Sequence, residues 1–256
     1  MAEVEVRGLR LGYDELNPGA PGTPVVLLHG WTADATEWLP VAQRLARSRR
    51  VVLPEHRGHG RSGVPPDGRF AIEEMARDLA GLLDALKIPK CILGGHSMGG
   101  MVAQRFALMF PDRVERLILS ATSGKVVDGP KMILLTAINW LLLRLTIKAM
   151  AVNIRLAYHK ATPETIAKHL ATGPRTVRGA YGALLRHNAL EELGRIRAPT
   201  LVVSGTRDRL LPWRMGRKLA ERIPGARFVA VEGGSHELMA DHTDEDAKAI
   251  EGFLAS

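Results

Sequence analysis

A serine flanked by glycines stands in the run Gly95-His96-Ser97-Met98-Gly99-Gly100. A serine hydroxyl is a poor nucleophile at its own pKa. It attacks a carbonyl only with a base at hydrogen-bond distance, a partner that fixes the tautomer of that base, and N–H donors aimed at the oxyanion that develops. The G-x-S-x-G pattern serves this chemistry where it forms a sharp turn between a strand and a helix. Here residues 91–94 read as a strand and residues 98–110 as a helix stopped by Pro111. The glycines leave room for strained dihedrals at Ser97. A helix opening at Met98 turns its free N–H groups toward the serine. The competing reading of the pattern by itself is a glycine-rich turn with an incidental serine.

The elements that must hold such a turn follow from periodicity. Val4 and Val6, then Leu9, Leu11 and Tyr13, alternate as two short strands joined near Gly8. Residues 24–28, 51–53, 114–119, 201–204 and 227–231 are short apolar runs, as expected of strands buried on both faces of a parallel sheet. Between them, residues 37–47, 72–86 and 214–222 read as helices, and 243–253 as a closing helix with Thr243 as N-cap. The alternation predicts an α/β fold: a mainly parallel, twisted eight-stranded sheet with helices on both faces. Residues 125–197 interrupt it with helical periodicity and no strand-like run, which predicts a helical cap inserted between core segments 1–124 and 198–256. The single cysteine, Cys91, excludes an internal disulfide and reads as a small buried strand residue.

With this alternation around the glycine-flanked serine, the chain resembles the α/β-hydrolase superfamily. In that family an acid follows the nucleophile and a histidine comes last. Gly205-Thr206-Arg207-Asp208, after the strand at 201–204, resembles the family's acid turn, and Gly233-Gly234-Ser235-His236 resembles its histidine loop. The order Ser97, Asp208, His236 matches. His29-Gly30-Trp31 resembles the family's oxyanion turn, which implies a hole formed by the backbone N–H groups of Trp31 and Met98, with the Trp31 ring lining the pocket. Pro54-Glu55-His56-Arg57-Gly58-His59-Gly60-Arg61-Ser62 resembles a further family loop, but carries Glu55 where aspartate is usual. His59 is read as structural, and His96 as packing behind the nucleophile. The remaining histidines, His159, His169, His187 and His242, have no cysteine or carboxylate at ligand spacing, so no metal site is expected. The family's chemistry also implies no cofactor.

The resemblance implies a serine hydrolase acting on small carboxylic esters with an apolar acyl or alcohol part. Lactonase, C–C bond hydrolase and cofactor-free perhydrolase use the same three residues and stay open. So does a non-catalytic ligand-binding receptor on the same fold. Epoxide hydrolases and dehalogenases carry aspartate where Ser97 stands. In the expected cap, residues 132–150 are rich in Leu and Ile. Such a helix is usually buried, and here that means holding the cap to the core. The sharper reading makes Ile133, Leu134, Trp140 and Leu141 a substrate pocket. Contact with a lipid surface is the third, favoured by Lys131, Arg144 and Lys148.

The formal net charge is +8, but the arginines are scattered, and aromatic residues make up only 5%. That reads as general surface charge, not a nucleic-acid partner. Residues 132–143 form the longest uncharged apolar stretch, short of the ~20 residues a membrane helix needs, so no stable membrane insertion is expected. The N-terminus lacks a basic start followed by an apolar run and reads as no signal peptide. A cytoplasmic monomer or homodimer is the resulting expectation.

Overall fold

A computed structural model describes residues 2–127, 130–145, 154–155 and 162–256. Among the described residues, eight strands form one sheet in the order β1-β2-β4-β3-β5-β6-β7-β8. β1 (Ala2–Val6) and β2 (Leu9–Leu16) form an antiparallel edge. β3 (Val25–Leu28), β4 (Val51–Pro54), β5 (Cys91–His96), β6 (Val114–Ser120), β7 (Thr200–Gly205) and β8 (Arg227–Val231) run parallel. The predicted strands are all present, to within a few residues at their ends.

The apolar runs of the central strands follow from cover on both faces. Val26 and Leu28 of β3 point into a core with Met75 and Leu83 of α2 (Ile72–Ala85), Val102 and Phe106 of α3 (Met98–Met109), and Leu219 of α7 (Trp213–Arg222). Val25 and Leu27, one residue out of phase, join Val41 of α1 (Leu39–Leu45), and Ile250 and Phe253 of α9 (Thr243–Leu254). Trp38 is fully buried in this second layer and its Nε1 donates to Leu28 O at 2.8 Å. This bond anchors the 3-10 turn Ala35–Trp38 to the end of β3.

The register sets the site. Leu28 pairs with Gly95, Gly95 with Leu119, Leu119 with Val202, and Gly205 with Val231. The loops after β3, β5, β7 and β8 therefore leave one carboxyl edge of the sheet, where open parallel sheets hold ligands.

Between β6 and β7 lie α4 (Pro130–Leu145), α5 (Pro163–Leu170) and α6 (Pro174–Arg186). Lys125 and Asn188 pair as an isolated bridge, so the chain enters and leaves this segment at one place.

Two expectations need correction. The closing helix starts at Thr243 itself, with His242 at the N-cap. The Thr243 hydroxyl donates to Met239 O at 2.6 Å instead of capping. The apolar helix α4 is also not buried by its content: Ile133, Leu134, Leu135, Ile138, Trp140, Leu141 and Leu142 are exposed, while Thr136 and Leu143 are buried. A sequence apolar all round does not say how much core is available to cover it. Residues 146–150 of the expected helix, with Lys148, lie outside the described residues.

Candidate active site

Ser97 sits between β5 and α3 with φ 49° and ψ −114°, a left-handed conformation that a non-glycine residue holds only when its surroundings impose it. The surroundings do so by close approach. A side chain at Gly95 would collide with the main chain of Gly99, one at Gly99 with the Leu28 carbonyl, and one at Gly100 with Thr122. The turn is pinned on both sides: Ser97 N–H donates to Ser120 O at 3.0 Å, and Thr122 Oγ1 donates to Ser97 O at 2.7 Å. Met98 opens α3, so its N–H has no intrahelical acceptor and lies at the positive end of the helix.

The predicted nucleophile, base and acid form one line. His236 Nε2 lies 2.9 Å from Ser97 Oγ, and His236 Nδ1 lies 2.7 Å from Asp208 Oδ2. Both partner side chains are buried, His236 to 4% exposure and Asp208 to 0%. Asp208 Oδ1 accepts from the N–H groups of Leu210 and Leu211, each at 2.8 Å, so the carboxylate is oriented on both oxygens. The acid and base loops are tied directly: Arg207 N–H donates to Gly234 O at 2.9 Å, and Gly233 N–H donates to Thr206 Oγ1 at 2.9 Å. Asp241 Oδ2 accepts from Ser235 N–H at 3.2 Å and so braces the histidine loop from α8 (Leu238–Asp241).

Trp31 lies half-buried at the start of the loop after β3. Its indole N–H donates to Val177 O of α6 at 3.1 Å, and its ring packs on that of Tyr181 at 5.0 Å. Tyr181 Oη in turn accepts from Asn139 Nδ2 of α4 at 2.9 Å. Thr172 Oγ1 donates to Thr32 O at 3.2 Å, and Thr32 Oγ1 lies 3.0 Å from His169 Nδ1. The loop predicted to carry an oxyanion donor is thus held by the β6–β7 segment as well as by the sheet. The four residues read as a pocket, Ile133, Leu134, Trp140 and Leu141, are 56, 61, 38 and 55% exposed, so none is packed beneath this surface.

The Glu55 departure is absorbed locally: its Oε2 accepts from Arg61 N–H at 2.7 Å and Arg61 Nε at 3.0 Å. His59 is buried and tilted against His29 with ring centroids 5.3 Å apart, and its Nδ1 lies 3.0 Å from Arg57 O. Burial depresses His29 to about 3 and His59 to about 4, and holds His56 well below its ordinary value. His96 is buried. Its Nε2 donates to His236 O at 3.0 Å, and its Nδ1 lies 3.1 Å from Glu37 Oε2. Glu37, Glu237 and Asp246 were not singled out by the sequence. They stand 59, 141 and 150 positions from His96, and no local pattern marks such a separation.

Among the described residues, one group, His96, His236 and Glu237, brings possible metal donors within 4.8 Å of one another. The ring nitrogens of both histidines already face protein partners: Ser97, Asp208, the His236 carbonyl and Glu37. The donor set therefore does not fit a metal site. No described helix is long and apolar enough to cross a membrane.

A family profile described as serine aminopeptidase, S33, matches residues 19–243. The chain is 31% identical over 245 residues to a putative carbamate hydrolase RutD of Azorhizobium caulinodans, covering 91% of each. It is 30% identical over 252 residues to the pimeloyl-[acyl-carrier protein] methyl ester esterase of Chromobacterium violaceum, covering 91% of this chain and 94% of the relative. Its structure superposes on the enol-lactonase of Burkholderia xenovorans LB400 with a TM-score of 0.89, at 27% identity and full coverage of both chains. The chain is a hydrolase and belongs to the serine aminopeptidase S33 family of the α/β-hydrolase superfamily.

Proposed function

We propose that this hydrolase cleaves small carboxylic esters with an apolar acyl or alcohol part through an acyl-enzyme on Ser97. The observation that carries the reading is the unbroken line from Ser97 Oγ through His236 to Asp208, at 2.9 and 2.7 Å. With its Nδ1 proton committed to Asp208, His236 presents a lone pair at Nε2 and takes the Ser97 proton as Oγ attacks the carbonyl carbon. Negative charge gathers on the former carbonyl oxygen, facing the N–H groups of Trp31 and Met98. The C–O bond to the leaving group breaks as His236 returns the proton to the departing alkoxide. Water, deprotonated by His236, then attacks the acyl carbon; Ser97 recovers its proton and the acid leaves. Each role falls to a side chain or N–H of the chain itself.

The segment 125–197 acts as a cap in this reading, with the Trp31–Tyr181 stack at its contact with the core. The apolar side chains of α4 support an apolar substrate group. Carbamate hydrolysis is a second reading, favoured by the similarity to the Azorhizobium protein. It uses the same attack on a carbonyl.

The test is a kcat/KM profile over p-nitrophenyl esters of increasing acyl length, lactones, carbamates and vinylogous diketones, each run with Ser97→Ala. Ester turnover that falls by about 10⁶-fold in that variant is expected. Carbamates or lactones turned over ahead of every ester would replace the substrate assignment. Turnover of none, by a folded protein, would favour a binding module.

A further inference from the structure

Behind the proposed catalytic line lies a buried charged pair that this chemistry does not itself use. His96 closes β5 and directly precedes Ser97; it is 1% exposed. Its Nε2 donates to the main-chain carbonyl of His236, and the two rings lie 4.8 Å apart. On its other side stands Glu37, whose side chain is 5% exposed. Glu37 Oε2 also accepts from the N–H of Gly30 at 2.8 Å, one residue before Trp31. A side chain at Gly30 would press on both His96 Nδ1 and Glu37 Oε1, so the pair fills the space beside that turn.

Burial pulls the His96 imidazole toward neutrality, but the Glu37 carboxylate, with Glu237 beyond it, outweighs this and pushes it up to about 10. Glu37 stays below its ordinary value despite burial, because His96 faces it. Burial raises Glu237 and Asp246 to about 7. A buried ion pair is expensive to desolvate, and apolar residues of similar volume often serve stability as well or better. What apolar residues would not supply is the connection made here. Both polar bonds of the pair end on main-chain atoms, one in the loop that carries Trp31 and one in the loop that carries His236.

We infer that Glu37 and His96 are positioning residues that brace the oxyanion turn against the base loop, fixing the separation of the Trp31 N–H and His236 Nε2 on either side of Ser97. The inference rests on the proposed roles of Ser97, His236 and Trp31. A brace of this kind acts on transition-state geometry, where a 1 Å misplacement costs on the order of 10²-fold in rate. It leaves ground-state binding nearly untouched.

His96→Leu removes the donor to His236 at similar volume, while His96→Gln keeps an amide N–H at the position of Nε2. Glu37→Met releases Gly30, and Glu37→Gln keeps an acceptor for it. The measurements are kcat and KM on the best p-nitrophenyl ester, the rate of fluorophosphonate labelling of Ser97, and the downfield proton resonance of His236 Nδ1–H. For His96→Leu and Glu37→Met, kcat is expected to fall by roughly 100-fold with KM within about threefold, while the two amide variants recover to within about fivefold of the parent. The downfield resonance broadens in the first two variants and persists in the second two. Folded His96→Leu with kcat within about twofold of the parent would overturn the brace. If that variant does not fold, Glu37→Met carries the same test under the same criterion. A parent that fluorophosphonate does not label would defeat the proposed function itself. A labelled parent with unaffected Leu and Met variants defeats only the brace.

Discussion

The loops at the carboxyl edge of the sheet and helix α4 are built on opposite terms. In the loops the three proposed catalytic residues are tightly partnered: Asp208 takes hydrogen bonds on both carboxylate oxygens, His236 is engaged at both ring nitrogens, and Ser97 is pinned through its N–H and its carbonyl. Helix α4 presents seven large apolar side chains to the surface, and its described link to the site runs through Asn139 and Tyr181. Under the proposed function the difference separates two jobs. Moving a proton needs groups fixed to a fraction of an ångström. Accepting an apolar acyl or alcohol group needs area, which tolerates many arrangements.

That contrast can be broken by substitution on each side. The largest effect is expected at Asp208→Asn, which keeps the shape of the site but stabilises the wrong imidazole tautomer. A fall in kcat of about 10⁴-fold is expected by steady-state kinetics, with the fold unchanged by circular dichroism. A loss below tenfold would mean that Asp208 does not orient the base. On the other side, Ile133→Ser, Leu134→Ser and Leu141→Ser combined should raise KM for a long-chain ester by roughly tenfold and leave an acetate ester unaffected. Thermal stability should hardly change, since exposed positions away from special contacts matter little. A large drop in Tm with unchanged KM would make α4 a structural element and remove it from substrate binding.

The smallest effect concerns pH. His29, His56, His59 and His187 are held neutral by burial, with values of about 3 for His29 and His187 and about 4 for His59. Unfolded, these histidines bind protons below about 6.5. The unfolded state therefore takes up more protons as pH falls from that value toward 4 and 3, and this part of the stability is lost on acidification. Glu237 and Asp246, raised by burial to about 7, act in the opposite sense, because the folded state holds their protons up to that pH. His169, lowered by burial, and Glu37, Asp34 and Glu74, held below their ordinary values, act in the same sense as the four histidines, so the acid side is the less stable one. The urea midpoint should fall between pH 6.5 and pH 4, less steeply in His59→Gln. An identical slope in that variant would remove His59 from the account.

The same division governs what the sequence reveals. The turn around Ser97 is legible because close approach permits nothing larger than glycine at Gly95, Gly99 and Gly100, and a steric demand of that kind leaves a mark in consecutive residues. Asp208 and His236 carry weaker local marks. Each is an ordinary loop residue until its order after Ser97 and its place beyond a strand are taken together. Glu37 leaves no mark, since its meaning lies in His96, 59 positions away at the end of another strand, and in the N–H of Gly30 in its own loop. His96 is legible only as packing behind the nucleophile, because the carbonyl it holds is 140 positions away. The exposure of α4 is hidden for a further reason. Apolar content says that a surface tends to be covered, but not by which part of the fold, and here Ile133, Leu134 and Leu141 stand uncovered by the described residues.

The central claim is that Ser97 forms a covalent acyl-enzyme. The most direct measurement is intact-protein and peptide mass spectrometry after rapid acid quench of the enzyme with a p-nitrophenyl ester, alongside a fluorophosphonate. One added acyl or phosphonyl group per chain is expected, on the peptide that contains Ser97, and none on the Ser97→Ala protein. Ester turnover with no adduct under either reagent, or an adduct that survives in Ser97→Ala, would contradict it.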